Sequence, residues 1–232
     1  MIGLPLVIRA PPLPEESCIG YLLRLSSLNG YKSPLWLWPT SGFHPHEITP
    51  KHLTTLPSSI GVPPKEWGTY FSRRHRKDTV VVHGFEVPKW HVDYKNPKIC
   101  PLCLREKPIL LARWDLTLWT ACERHEIMLI RDCSNCGSPI RWEREKALEC
   151  GKCGSAFSKS DHKRAAEKTL QYVKLLRERM LSLGINQVRF DEHTFMQLDF
   201  DCLLEFSFEI ARMSYKSAEG YSRIPSKKFL LY

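Results

Sequence analysis

Apolar positions recur with a helical period in three stretches of the chain. Residues 14–29, 160–183 and 192–214 each repeat apolar side chains every three or four positions, with polar side chains between them. This period is that of an amphipathic helix with one buried face. Pro14 and the glutamates after it are typical of a helix start. The pattern therefore predicts one N-terminal helix and a C-terminal helical hairpin or small second domain.

The pattern changes between residues 50 and 87. Residues 50–72 predict two short helices joined at Gly61, with the spacing of a helix-turn-helix, although Pro57 weakens the first helix. The apolar run TVVVHGFEV at residues 79–87 predicts a strand or a hairpin. The chain is therefore expected to begin with a helical, helix-turn-helix-like region.

The chain contains nine cysteines. The apolar run at residues 1–8 is short and is followed by Arg9 and prolines, so it does not predict a signal peptide. An odd cysteine count without export argues against a disulfide framework. No apolar stretch reaches the roughly 18 residues of a membrane span. We therefore expect a cytoplasmic protein that makes no membrane contact, with Cys18 and Cys202 as core residues.

The other seven cysteines and one histidine form four close pairs between residues 100 and 153. Zinc in structural sites takes four tetrahedral sulfur and imidazole ligands, and two such pairs supply one set. The first predicted set is Cys100, Cys103, Cys122 and His125. The second predicted set is Cys133, Cys136, Cys150 and Cys153. We therefore expect two Zn²⁺ ions per chain, both structural, because four protein ligands leave no open position for a substrate.

The two sets differ in how far the sequence alone supports them. Gly137 and Gly154 each follow a cysteine pair of the second set, and glycine lets the backbone turn through positive φ there. A redox or iron–sulfur site is the alternative. In the first set His125 could instead be a surface histidine, but three cysteines would then lack a fourth ligand. The sequence between residues 137 and 149 is expected to form two short strands around a polar turn.

The formal charge of +9 makes the chain basic. Seven thiolates and two Zn²⁺ ions would bring it to near +6, which still favours contact with phosphate. The densest basic run, RRHRK, follows the helix-turn-helix-like segment. Its cations either contact nucleic-acid phosphates or form a solvated loop, and the sequence favours neither. These candidate nucleic-acid contacts are Arg73, Arg74, Arg76 and Lys77.

The segment PLPEESCIGYLLRLSSLNGY, residues 12–31, resembles the opening of TniQ proteins. In that family a helical region precedes a Cys-x-x-Cys, a tryptophan-containing stretch, a Cys-x-x-His and a zinc ribbon. The matching parts of this sequence follow in the same order over about residues 10–155. They are Glu16-Ser17, Arg24-Leu25, Asn29-Gly30-Tyr31, Cys100/Cys103, Trp114/Trp119, Cys122/His125 and the second cysteine set. CERHE departs from the pattern, which often has proline after the cysteine and glycine after the histidine.

The resemblance implies a bacterial protein that selects targets for a transposon. Some TniQ-like proteins bind attachment-site DNA directly, and others join a CRISPR effector complex and its guide RNA; both kinds recruit an AAA+ ATPase regulator. The expected function is thus a non-catalytic adaptor, and the alternative is a direct, sequence-reading DNA-binding protein. An enzyme is not expected, because no phosphate loop, nucleophile elbow or metalloprotease motif is present.

The fold class expected from all these features is α+β. We expect three regions: a helical region at residues 1–90, tandem zinc modules at 91–157 and a helical region at 158–232. Aromatic side chains are common interface anchors, and the N-terminal region holds more of them than so short a segment needs. The candidate partner-binding residues there are Trp36, Trp38, Trp67 and Tyr70, with Tyr31 and Phe71 nearby.

Overall fold

The fold is known from a computed structural model, which describes part of the 232-residue chain. The described residues are 6–34, 73–74, 79–82, 85–93, 96–181 and 202–209. Residues Met1–Asn186 form one compact unit and Gln187–Tyr232 a second. Helices and small antiparallel sheets together make this an α+β protein, as predicted. The division into three regions stays a prediction.

The N-terminal helix α1 spans Cys18–Leu28, which is later than the sequence pattern suggested. Ser17 is its N-cap and accepts a hydrogen bond from the Gly20 amide at 2.9 Å. The prediction that Glu15 and Glu16 lie in the first turn is wrong, because the N-cap is Ser17 and both glutamates precede it. The helix then buries its apolar face, including Leu22 and Leu23, in the core of the unit.

Three polar residues of the N-terminal segment hold the chain around α1. Glu16 is fully buried, and its two carboxylate oxygens lie 2.6 and 2.7 Å from the guanidinium of Arg24. The Asn29 side-chain oxygen accepts hydrogen bonds from the backbone amides of Val7 and Ile8, at 2.8 Å each. These side chains therefore close the chain before α1 onto the helix itself.

The apolar run after the basic segment forms the predicted hairpin. Strand β1 at Arg73–Arg74, β2 at Thr79–Val82 and β3 at Phe85–Pro88 make an antiparallel sheet in the order β1-β2-β3. Val80 and Val87 face each other across β2 and β3, and both are buried. Arg73 and Arg74 thus belong to an edge strand.

The cysteine-rich block has little regular structure of its own. Helix α2 spans Pro101–Glu106, and strands β4 at Ala121–Cys122 and β5 at Ile127–Met128 form a two-residue hairpin. Trp114 and Trp119 lie between α2 and β4 in the sequence, and they are among the largest fully buried side chains. The N-terminal segment hydrogen-bonds this block directly, through Ser17 N to Leu110 O and Ala112 N to Glu15 O, each at 2.8 Å.

Helix α3 spans Glu167–Leu181, so the predicted start at Ser160 or Asp161 is wrong. The chain before it is extended, and Arg164 pairs with Ile127 at the edge of the β4–β5 hairpin. The Met128 amide donates to the Lys163 carbonyl and the Ala165 amide to the Glu126 carbonyl, at 2.8 and 2.9 Å, so these bonds use backbone groups that a helix would have needed. Leu170, Val173, Leu176 and Met180 of the predicted stripe are buried.

In the second unit, residues 202–209 are helical and lie within the stretch predicted as a helix. Leu203 and Leu204 are buried there, whereas Cys202 is exposed, so its prediction as a core residue is wrong; Cys18 is buried as predicted. The helix-turn-helix-like segment at 50–72 lies outside the described residues. Of the helices in the described part of the chain, none has the length and apolar character that a membrane span needs.

Candidate metal centres

The structure brings the first predicted ligand set together at one point. Cys100 caps helix α2, Cys103 lies one turn further on, and Cys122 and His125 come from the turn between β4 and β5. His125 Nδ1 lies 3.2 Å from Cys103 Sγ and 3.5 Å from the sulfurs of Cys100 and Cys122. The three cysteines are buried and the histidine is half-buried, so this centre is enclosed.

The second predicted set also converges. The sulfurs of Cys133 and Cys153 are 3.7 Å apart, and those of Cys136 and Cys150 are 3.7 Å apart. Cys133 and Cys150 are buried, but Cys153 is exposed, so one side of this centre faces solvent. The expected strands within residues 137–149 are absent from this described stretch; isolated bridges Asp132–Pro139 and Glu149–Ala156 flank the two turns instead.

Both sets have the dimensions of a tetrahedral zinc site. Zn–S bonds of about 2.3 Å and Zn–N bonds of about 2.0 Å place neighbouring ligand atoms about 3.5 to 3.8 Å apart. The sulfur–sulfur distances of 3.7 Å in the second set agree with that spacing. In the first set the sulfurs of Cys103 and Cys122 are 3.5 Å apart and the sulfur–Nδ1 distances run from 3.2 to 3.5 Å, so the set is slightly more compact. Each set therefore fits one metal ion with four protein ligands, and its sulfur content is compatible with zinc.

In each centre some thiols have a lowered pKa and others a raised one; the pKa is raised at Cys100, Cys103 and Cys133. The Cys100 and Cys103 side chains hydrogen-bond to the sulfur of Cys122 and hold its pKa well below the usual range of a thiol. In the second centre, hydrogen bonds from Ser138 lower the pKa of Cys136 to about 6. The thiolate is the form of cysteine that binds a metal. Cys122, Cys136 and Cys153 are therefore the cysteines at which the thiolate is favoured.

All four ligand turns share one backbone hydrogen bond, and in three of them the residue that donates it has a positive φ. The amide four residues after the first cysteine donates to that cysteine's carbonyl, from Gly137 to Cys133 and from Gly154 to Cys150 at 2.8 and 2.9 Å. Both glycines have positive φ, as the sequence predicted. Glu126 occupies the same place in CERHE, with φ of 55° and a bond of 2.8 Å to the Cys122 carbonyl. The departure from the family pattern therefore leaves the turn geometry intact.

Glu126 has a further role that sequence reasoning missed. Its carboxylate lies 3.2 Å from Lys174 on α3 and 3.7 Å from Arg164. Ion pairs of this exposed kind contribute about 0–1 kcal/mol each, while a non-glycine residue in the left-handed region costs about 1 kcal/mol or more. The ion pairs therefore offset part of the conformational cost and join the ligand turn to α3.

A buried carboxylate beside the first centre joins three parts of the chain. Glu123 follows Cys122 and lies 3.1 Å from Arg113 and 3.6 Å from Arg177 of α3. Arg113 also contacts Glu15 at 2.7 Å, and Glu15 is the other non-glycine residue with positive φ in the described chain. The alternating charges thus tie the N-terminal segment and α3 to the same ligand turn. Only the three-dimensional arrangement could reveal this network.

A buried arginine supports the second centre. The Arg144 guanidinium donates to the Ala147 carbonyl at 2.8 Å and lies 5.3 Å from the Phe157 ring centre. Burial lowers its pKa to about 9, so it stays charged at neutral pH. Four thiolates and one Zn²⁺ carry two negative charges, which a nearby cation partly balances. Arg144 therefore complements the charge of a metal-loaded centre.

The comparison with known families covers the N-terminal segment and the first centre. The TniQ family model matches residues 7–129, which is more than half of the chain. The chain belongs to the TniQ family. The match ends before the second cysteine set and before α3, so both of these lie beyond the part of the chain that the TniQ model covers. The comparison with curated proteins finds no match.

Membership of the TniQ family gives the chain a coarse function. TniQ proteins are non-catalytic proteins of transposition, with a role in target selection and DNA binding. The metal centres agree with a structural rather than a catalytic role, because four protein ligands saturate a tetrahedral ion.

The remaining predicted site residues are placed only in part. Arg73 and Arg74 lie in β1, and their backbones pair with Val81 and Val80. Tyr31 follows α1 and is half-buried. The other predicted nucleic-acid and partner residues lie outside the described part of the chain; these are Arg76, Lys77, Trp36, Trp38, Trp67, Tyr70 and Phe71. Their roles stay predictions.

Proposed function

We propose that the chain is a non-catalytic adaptor that links a complex bound at the target DNA to an AAA+ ATPase regulator of transposition. The observation that carries the proposal is the TniQ match over residues 7–129. The target-bound complex would be a CRISPR effector with its guide RNA. Both metal centres would hold the scaffold rather than react, in keeping with a protein that acts by contact.

The block that carries the first centre is joined to the segment before α1. Backbone hydrogen bonds from Ser17 and Ala112, and the ion pair of Glu15 with Arg113, join the segment before α1 to the block that carries the ligands. A fragment that ends at residue 99 would lack all of these hydrogen bonds and the ion pair. The N-terminal surface must therefore be tested in the full chain.

Capture of the AAA+ regulator by the full chain tests the adaptor role. We expect Trp67→Ala with Tyr70→Ala to weaken capture by about 30-fold, because aromatic anchors dominate protein interfaces. Phe206→Ala is the control, since Phe206 is an exposed aromatic residue of the second unit. Binding is measured by titration of immobilised chain. If the wild-type chain does not bind the regulator, the adaptor proposal is wrong; equal binding by all variants shows that the surface lies elsewhere.

Direct reading of DNA is the second candidate function, and the charge of the chain favours it. The sequence carries a formal charge of +9, and the arginines of β1 lie on the edge strand of a sheet. A gel shift with an attachment-site duplex and a random duplex separates the two candidates. Strong, specific binding by the chain alone favours direct reading, whereas weak and unspecific binding favours the adaptor.

Removal of the basic run should weaken any such nucleic-acid binding. Alanine at Arg73, Arg74, Arg76 and Lys77 is expected to lower the affinity. The slope of the logarithm of the binding constant against the logarithm of the salt concentration should become shallower by about 0.9 for each phosphate that the variant no longer neutralises. Folding should persist, because alanine keeps the backbone groups of Arg73 and Arg74 that pair with β2. The control removes four exposed cations elsewhere: Lys152, Lys159, Lys163 and Lys168. An equal fall in affinity in both variants would mean that the run has no special role.

A further inference from the structure

A carboxylate of helix α2 contacts the ring nitrogen of His125 that faces away from the sulfurs. Nδ1 of His125 points into the cysteine cluster, 3.2 Å from Cys103 Sγ. Its Nε2 lies 3.1 Å from Oε1 of Glu106. The imidazole thus lies between the three sulfurs on one side and a carboxylate on the other.

This arrangement selects one tautomer of the imidazole. An ionised carboxylate only accepts hydrogen bonds, so the ring proton belongs on Nε2. The lone pair is then on Nδ1, directed at the position where the three sulfurs converge. A metal-ligating histidine whose other nitrogen donates to a carboxylate is held in orientation and becomes a stronger ligand.

Glu106 is itself held in place by the ligand turn. Its second oxygen, Oε2, lies 3.0 Å from the guanidinium of Arg124, the residue next to His125. Glu106 ends the helix that carries Cys103 and follows Cys100, whereas Arg124 belongs to the turn that carries Cys122. The carboxylate therefore joins the two halves of the ligand set, and this contact does not itself require an ion.

We propose that Glu106 is a positioning residue of the first metal centre, which fixes His125 so that the ion binds through Nδ1 and is retained more tightly. The proposal rests on metal binding at this centre. It is specific to one of the two centres, because the second set consists of four cysteines and contains no imidazole to orient. The second centre therefore serves as an internal reference for zinc affinity in every molecule.

Stepwise removal of zinc from the full chain by a chromophoric chelator measures the zinc affinity of both centres in one experiment. We expect Glu106→Leu to weaken zinc binding at the first centre by about 10- to 100-fold and to leave the second unchanged. Glu106→Gln keeps a carbonyl oxygen that accepts from Nε2–H, so it should retain most of the affinity. Glu143→Leu is the matched control, since Glu143 is an exposed acid of the second module.

Two spectroscopic readouts distinguish positioning from a general loss of stability. The long-range proton–nitrogen spectrum of the zinc-loaded wild type should show the His125 proton on Nε2, and the cobalt-substituted Glu106→Leu protein should change its first-centre absorption alone. If Glu106→Leu is insoluble, Glu106→Asp withdraws the carboxylate by one methylene and should weaken the same centre.

The outcomes separate this proposal from the metal prediction on which it rests. A wild-type protein whose first centre holds no zinc would remove that basis. Two bound zinc ions, with affinities in Glu106→Leu or Glu106→Asp within twofold of wild type at both centres, would overturn the positioning role. A proton on Nδ1 of His125 in the zinc-loaded wild type would overturn it as well.

Discussion

Purified protein is expected to contain two zinc ions per chain by elemental analysis, and Cys136→Ser is expected to contain one. Cys136 lies 3.7 Å from Cys150 within the second set, and the pKa of its thiol is lowered to about 6, so it supplies a thiolate that serine cannot replace. Structural zinc contributes on the order of 10 kcal/mol of apparent binding energy. That amount is comparable to the whole stability of a domain.

The folded state should therefore depend on the metal. Residues 133–153 contain no strand, and one isolated bridge closes each of the two ligand turns, so regular secondary structure does not hold this stretch together. We expect Cys136→Ser to be protease-sensitive within this stretch or insoluble. Cys202→Ser is the matched control, because Cys202 is exposed and belongs to neither set. A well-folded, metal-free wild-type preparation would show that neither set is a structural zinc site.

Glu16→Ala is expected to destabilise the zinc-loaded protein by about 3–5 kcal/mol, the usual cost of removing one partner of a buried ion pair. The Glu16 carboxylate is fully buried and receives two bonds from Arg24 at 2.6 and 2.7 Å, together with the Leu13 amide at 3.0 Å. Removal of the carboxylate would leave a guanidinium and an amide without this acceptor. Urea unfolding measures the destabilisation.

Two further variants show whether the ion pair itself is responsible. Lys146→Ala removes a surface ion pair with Glu149 and should cost less than about 1 kcal/mol. The double variant Glu16→Leu with Arg24→Met removes both charges and should be more stable than Glu16→Ala, because no unpaired charge is then buried. A Glu16→Ala protein as stable as Lys146→Ala would contradict this account of the N-terminal segment.

Glu16, Arg24 and Asn29, which carry part of the resemblance to TniQ proteins, have structural roles in the N-terminal segment. Each of these residues binds the backbone or another side chain of the same segment. Their spacing serves to close the chain around α1. The resemblance therefore indicates the fold and, through the family, the function, without pointing to a reactive site.

The amino-acid sequence by itself determined the features that depend on local spacing. Cysteine pairs, the glycines after them and the apolar period of α3 predicted the two ligand sets, the positive φ of Gly137 and Gly154, and the buried stripe from Leu170 to Met180. Each of these follows from residues a few positions apart, whose geometry is fixed by covalent connection and local hydrogen bonding.

Only the tertiary structure decided the features that join distant segments. The start of α3 is later than its pattern predicts because residues before it pair with β5. Glu126 adopts a left-handed backbone conformation, which a glutamate in the sequence does not predict. The network from Glu15 through Arg113 and Glu123 spans residues about a hundred positions apart. Such pairings depend on how the folded segments meet in space, and a period or a spacing along the chain carries no information about them.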